Sequence, residues 1–103
     1  MSDVTLDDFA AAHSTGAAQV IDVREPAEYT SGHVPGAASI PMGQLPDRLA
    51  EINRSKPVFV ICQAGGRSAQ ATALMRSVGI DAYSVAGGTG QWIESGRPVA
   101  TAA

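Results

Sequence analysis

The chain holds one cysteine, Cys62, at the end of the apolar run Val58-Phe59-Val60-Ile61. Gln63-Ala64-Gly65-Gly66 follow, then Arg67 and Ser68. An ordinary cysteine thiol titrates at about 8.5 and is mostly protonated near neutrality. Three features of this stretch favour the thiolate. A helix starting near Arg67 or Ser68 aims its positive dipole end at the loop. The N–H groups of Gln63 to Ser68 have no helical partner ahead of them and can converge on an anion. Arg67 adds a permanent charge. Gly65 and Gly66 suit a tight concave loop, which often needs positive φ and close approach of a ligand to the backbone. The pattern suits an anionic sulfur nucleophile and an anionic substrate. A lone cysteine is more often an inert core thiol, and the Gly-Gly-Arg-Ser context is what argues otherwise here.

The loop must be held by strands and helices, and the rest of the chain supplies them. Gln19-Val20-Ile21-Asp22-Val23 and Val58 to Ile61 are short β-branched runs and read as buried strands. Ala38-Ser39-Ile40 and Ala82-Tyr83-Ser84-Val85 read as two more. Thr5-Leu6-Asp7-Asp8 has capping-box form and opens a helix through Phe9 to about Ala12. Pro26 to Ser31 reads as a short helix closed by Gly32. Leu45, Leu49 and Ile52 predict an amphipathic helix over 44–53. Ala71, Leu74, Met75 and Val78 predict the clearest helix, ended by Gly79. Gly87-Gly88 is a tight turn into a last helix, capped by Thr89 and burying Trp92 and Ile93. The tail from Val99 to Ala103 is expected to fray. Strands alternating with helices predict an α/β fold, a mostly parallel sheet with helices on both faces. Ligands of such sheets sit beyond the carboxyl ends of the strands, where Cys62 falls.

Composition narrows the classes further. With 103 residues, 45% apolar and 17% charged, the chain reads as one globular domain over 1–103. Its net charge of −3 leaves no basic face for nucleic acid. One cysteine makes no internal disulfide and fits a reducing compartment. With only His13 and His33 to help, it makes no zinc site either. No apolar run approaches the ~20 residues of a membrane span. The acidic start, Met1-Ser2-Asp3-Val4-Thr5, does not resemble a signal peptide. The expected setting is cytoplasmic.

Taken in order, the motifs resemble the single-domain rhodaneses, which are sulfurtransferases. The likeness covers nearly the whole chain. It runs through Asp22-Val23-Arg24-Glu25, Glu28-Tyr29, Gly32-His33-Val34-Pro35-Gly36-Ala37 and Ile40-Pro41, then Cys62 to Ser68, Gly87-Gly88 and Trp92. The resemblance implies a rhodanese-like fold and a catalytic Cys62 that carries a persulfide. It implies a small anionic sulfur donor such as thiosulfate, a thiophilic acceptor such as cyanide or a thiol, and no cofactor. The substrate would be held by Gln63, Ala64, Gly65, Gly66, Arg67 and Ser68. Arg67 is expected to bind the donor and stabilise the persulfide, since a cation at a helix start asks for an anion. Ser68 is read equally as a helix N-cap or a ligand contact. Asp22 and Arg24 are read as a structural ion pair near the site. His33 is read as a turn residue bonded to backbone, because a thiolate nucleophile needs no base. His13 is read as a solvated helix end.

Three other functions fit parts of the pattern. A phosphatase or arsenate reductase on a related scaffold resembles Cys-x5-Arg, whereas this chain has four residues between Cys62 and Arg67. A persulfide carrier would hand its sulfur to a protein acceptor, as in thio-cofactor or tRNA thiolation. A non-catalytic interaction domain is disfavoured by the presence of Cys62.

Overall fold

The computed structural model describes residues 3–101. Five strands form one parallel sheet in the order β1-β5-β4-β2-β3. They are β1 (Asp3–Val4), β2 (Gln19–Asp22), β3 (Ala38–Ser39), β4 (Val58–Ile61) and β5 (Ala82–Val85). The helices are α1 (Leu6–His13), α2 (Pro26–Ser31), α3 (Leu45–Arg48), α4 (Gly66–Ser77) and α5 (Gly88–Glu94). The expected α/β class and parallel sheet are therefore present.

Side chains of successive strand residues point to opposite faces, and here both faces are covered. Ile21, Val58, Val60 and Cys62 pack with Leu45, Ala71 and Met75 on the side of α3 and α4. Val20, Ile61 and Val85 pack with Phe9 and Trp92 on the side of α1 and α5. Full burial of side chains such as Phe9 and Met75 is worth roughly 1.5–3 kcal/mol each. The central strand, β4, is thus gripped from both sides, and the residue after it is fixed in space. Asp22 pairs in register with Ile61, so the ends of β2 and β4 lie side by side.

Several expectations need correction. The stretch 44–53 is not one helix. A 3-10 turn over Met42–Gln44, the four residues of α3 and a second 3-10 turn over Leu49–Glu51 replace it. Pro46 sits in the first turn of α3, where its missing N–H is tolerated, and the helix ends at Arg48, which leaves helical geometry at φ −118 and ψ 11. On α4 the buried face is Ser68, Ala71, Thr72 and Met75, while Leu74 is half-buried and Val78, past the helix end, is exposed. Two of those four buried residues are polar, so apolar spacing placed the stripe one turn too late. In α5 Trp92 is buried but Ile93 is exposed, and the cap is Gly87, with Thr89 buried inside the first turn. The tail is tied down through Ala100, which exchanges two backbone hydrogen bonds of 2.9 Å with His33. Trp92 Nε1 also donates to the Pro98 carbonyl at 2.7 Å. The last two residues of that tail, Ala102 and Ala103, lie outside the described residues. His13 is half-buried, edge-on to Trp92, with Nε2 2.7 Å from the Pro35 carbonyl oxygen. The short edge strand β1 has only two residues and left no periodic signal.

Candidate active site

Beyond Ile61 the chain cannot continue straight, because α4 must fold back over the sheet. Gly65 makes the reversal at φ +118 and ψ −12, a left-handed conformation that side chains resist. The reversal brings loop amides round to face Cys62. The Gly65 N–H donates to Sγ at 3.0 Å. Backbone N–H groups of Ser68 and Ala64 act on the same sulfur. The Ser68 hydroxyl lies 3.5 Å from Sγ.

Cys62 is 1% exposed and belongs to the core on the α4 side. Burial pushes its pKa up, since a buried charge loses hydration. Donation from the Ser68 side chain and from the amides of Ser68, Gly65 and Ala64 acts the other way. The donors prevail, and the thiol is held below its ordinary value. That balance separates Cys62 from an inert core cysteine, which would keep only the penalty of burial.

Ser68 is not the helix cap. The cap position is Gly65, and Ser68 stands in the first turn of α4, fully buried. Its Oγ is 3.1 Å from the Gly65 carbonyl and 2.8 Å from the Ser84 hydroxyl. Ser84 is a β5 residue that the sequence reading did not single out. With Ser84 donating to Ser68, the Ser68 proton remains available to the sulfur or to the Gly65 carbonyl. Ser68→Ala should therefore raise the Cys62 pKa. The rate of alkylation by iodoacetamide, followed against pH, checks this: the rise in rate should move to higher pH in the variant. A coincident profile would mean that the hydroxyl does not act on the thiolate.

The two loop glycines have different tasks. Gly65 alone has positive φ, whereas Gly66 begins α4 with nothing within 4 Å of where a Cβ would lie. Gly65→Ala should cost about 1–2 kcal/mol, and Gly66→Ala should be neutral or stabilising by up to ~1 kcal/mol. Urea denaturation of the two variants measures the difference. Equal losses would show that the backbone conformation at Gly65 is not what singles it out.

A second helix start supports the loop from behind. The Thr89 N–H donates to the Cys62 carbonyl at 2.8 Å, and the Gly90 N–H to the Gln63 carbonyl at 3.0 Å. Gly88, at φ +58, comes so close that a Cβ there would lie 2.4 Å from the Cys62 oxygen. Gly87-Gly88 is thus more than the tight turn read from sequence. The spacing Gly87-Gly88-Thr89-Gly90 at a helix start was the available signal. Gln63, Ala64 and Gly66 are exposed and form the rim.

Asp22 and Arg24 form the expected ion pair and are nearly fully buried. Arg24 Nη2 lies 2.8 Å from Asp22 Oδ2 and also donates to the Gly32 carbonyl. Its Nη1 donates to Gln63 Oε1 at 3.2 Å, which ties the pair to the rim of the loop. His33 stacks on Tyr29 at 3.7 Å, and its Nδ1 lies 2.8 Å from the Tyr29 carbonyl oxygen, a backbone contact of the kind expected. Arg67 does meet an anion, but the anion belongs to the protein. Its Nη1 and Nη2 donate to Glu28 Oε1 and Oε2 at 2.7 and 3.0 Å. Among the described residues, no group of three or more His, Cys, Asp or Glu side chains could hold a metal ion. No helix there is long and apolar enough to cross a membrane.

The chain resembles known proteins over most of its length. It is 41% identical over 93 residues to the uncharacterized protein YqhL of Bacillus subtilis, covering 89% of this chain and 72% of that one. It is 35% identical over 81 residues to a sulfurtransferase of Allochromatium vinosum, covering 78% and 76%. The crystal structure of a rhodanese-related protein from Thermoplasma volcanium superposes with a TM-score of 0.90 at 32% identity, covering 99% of this chain and 100% of that one. The model of the Rhodanese-like domain matches residues 5–95, from the cap of α1 to the end of α5. With that span and the shared sheet, the chain belongs to the rhodanese-like domain family.

Proposed function

We propose that this protein is a sulfurtransferase that carries sulfane sulfur as a persulfide on Cys62. One observation supports this most: three backbone amides and a hydroxyl act on a buried sulfur and favour its thiolate against the cost of burial. The sulfurtransferase among the relatives, and the family itself, support sulfur transfer as the class of chemistry. The Cys62 thiolate attacks the outer sulfur of the donor. The donor's S–S bond breaks, and the leaving group departs with the electron pair, as sulfite when the donor is thiosulfate. The ring of amides from Gln63 to Ser68 then stabilises charge on the terminal sulfur, as an oxyanion hole does for oxygen. A thiophilic acceptor attacks that sulfur and releases the thiolate. Charge and electrons balance as in thiol–disulfide exchange.

A protein acceptor is compatible with the same steps. The rim residues Gln63, Ala64 and Gly66, beside the buried sulfur, are exposed, uncharged and small or flexible, so an approaching protein meets no fixed charge on them. Phosphoryl chemistry is less well served, because the Arg67 charge that would meet a tetrahedral oxyanion is offset by Glu28. The discriminating experiment supplies cyanide with thiosulfate or with cysteamine persulfide, beside a parallel incubation with p-nitrophenyl phosphate. Thiocyanate should form and nitrophenol should not. Nitrophenol release without thiocyanate would reverse the assignment.

A further inference from the structure

Thiosulfate carries two negative charges, and its reaction brings it against a thiolate. A site built for it needs positive charge that is free to meet it. The loop's own cation is Arg67, and each of its terminal nitrogens donates to an oxygen of Glu28, whose carboxylate offsets the guanidinium charge. The pair joins α2 to the start of α4, and Arg67 lies near enough to Cys62 to feel its charge. Glu28 Oε1 is further fixed by the Glu25 N–H at 3.1 Å, in the capping box of α2. Arg24, the other arginine near the loop, is buried against Asp22. The remaining arginines have partners elsewhere: Arg48 holds Glu51, Arg54 and Arg76 hold backbone carbonyls, and Arg97 holds Asp7. Lys56 precedes β4, at the end of the strand opposite Cys62. Asp22, Arg24, Glu25, Glu28 and Arg67 together leave this end of the sheet one negative charge in excess.

We infer that Glu28 sets donor choice: by occupying the Arg67 guanidinium it disfavours dianionic thiosulfate and favours sulfane sulfur carried on a thiol. The inference rests on Cys62 as the sulfur-accepting nucleophile. The favoured step is attack of the Cys62 thiolate on the outer sulfur of R–S–SH. A Cys62–S–SH persulfide forms, the donor S–S bond breaks, and R–S⁻ leaves with the electron pair. No oxidant or reductant is consumed. The screen does not relax in mild acid: the Arg67 hydrogen bond, opposed by partial burial, holds the Glu28 pKa at about 2. The pair is about one-third exposed on each side, so it can be altered without threatening the core.

The test compares kcat/KM for thiosulfate with kcat/KM for two thiol persulfides, before and after Glu28→Gln. One persulfide is that of cysteamine, a small cation. The other is on a cysteine peptide flanked by lysines, which represents a protein source. Gln keeps an acceptor for the Glu25 N–H and removes the charge, and it replaces the oxygen that accepts from Arg67 Nη2 by an NH2 donor, which loosens the hold on the guanidinium further. The ratio of thiosulfate to persulfide efficiency should rise about two- to fivefold, the size of one partly exposed ion pair. The gain should come from a lower thiosulfate KM, and it should vanish in the Glu28→Gln/Arg67→Gln double variant. Whichever persulfide loads faster in the parent protein identifies the source. An unchanged ratio, with Cys62 still loaded by the donors, overturns the role of Glu28 alone. No loading by any donor overturns the persulfide mechanism itself.

Discussion

Replacing Cys62 by serine should abolish sulfur transfer and leave the fold standing. The change removes one atom's worth of chemistry. A serine oxygen fits where the sulfur sat and can accept from the Gly65 and Ser68 N–H groups, so unfolding free energy should move by no more than about 1 kcal/mol. The hydroxyl, however, has no nearby base to activate it. The one imidazole close to α2, His33, is stacked on Tyr29 and bonded to its backbone. Turnover should fall on the order of 10³-fold or more, about 4 kcal/mol of barrier. Thiocyanate release and a urea melt of the same preparation check both halves. Substantial activity in a folded serine variant would remove Cys62 from the mechanism.

The second large effect is expected at a residue that never touches the donor. Gly88→Ala places a methyl group 2.4 Å from the Cys62 carbonyl and 2.7 Å from that of Gln63. Those carbonyls are held by the Thr89 and Gly90 N–H groups, so they cannot retreat without breaking the support behind the loop. Positive φ adds its own strain, roughly 1–2 kcal/mol, and overpacking adds roughly 1–3 kcal/mol. The combined loss should be about 2–5 kcal/mol, with sulfur transfer lost at temperatures where the variant is still folded. A denaturant midpoint together with the Cys62 alkylation profile separates the two consequences. A variant of parental stability and reactivity would show that α5 does not brace the loop.

The parts of this protein that sequence made legible are those with a local cause. β-branched runs read as strands, and β2 and β4 fall within a residue of the expected bounds, as does the less β-branched β5. Pro26 and Gly32 bracket α2 for reasons confined to those residues. Cys62 and its loop were legible because a nucleophile, two glycines and an arginine lie within six consecutive residues. What sequence did not disclose depends on partners brought from far along the chain. Arg67 looked like a cation waiting for a ligand, and only the fold brings Glu28 from 39 positions earlier to meet it. Ser84 looked like an ordinary strand residue until β5 set its hydroxyl against Ser68. The stripe on α4 was misplaced because Ser68 and Thr72 are buried by the site and the sheet, not by hydrophobicity. The tail from Val99 looked free because a single bridge from Ala100 to His33 has no pattern in sequence.

The most direct test weighs the intact protein after excess donor, thiosulfate or cysteamine persulfide, against the same treatment of Cys62→Ser. The parent should gain the mass of one sulfur atom and lose it again on addition of cyanide, and the serine variant should gain nothing. A parent that stays at its starting mass with every donor, or an adduct that persists in the serine variant, would contradict a persulfide carried on Cys62.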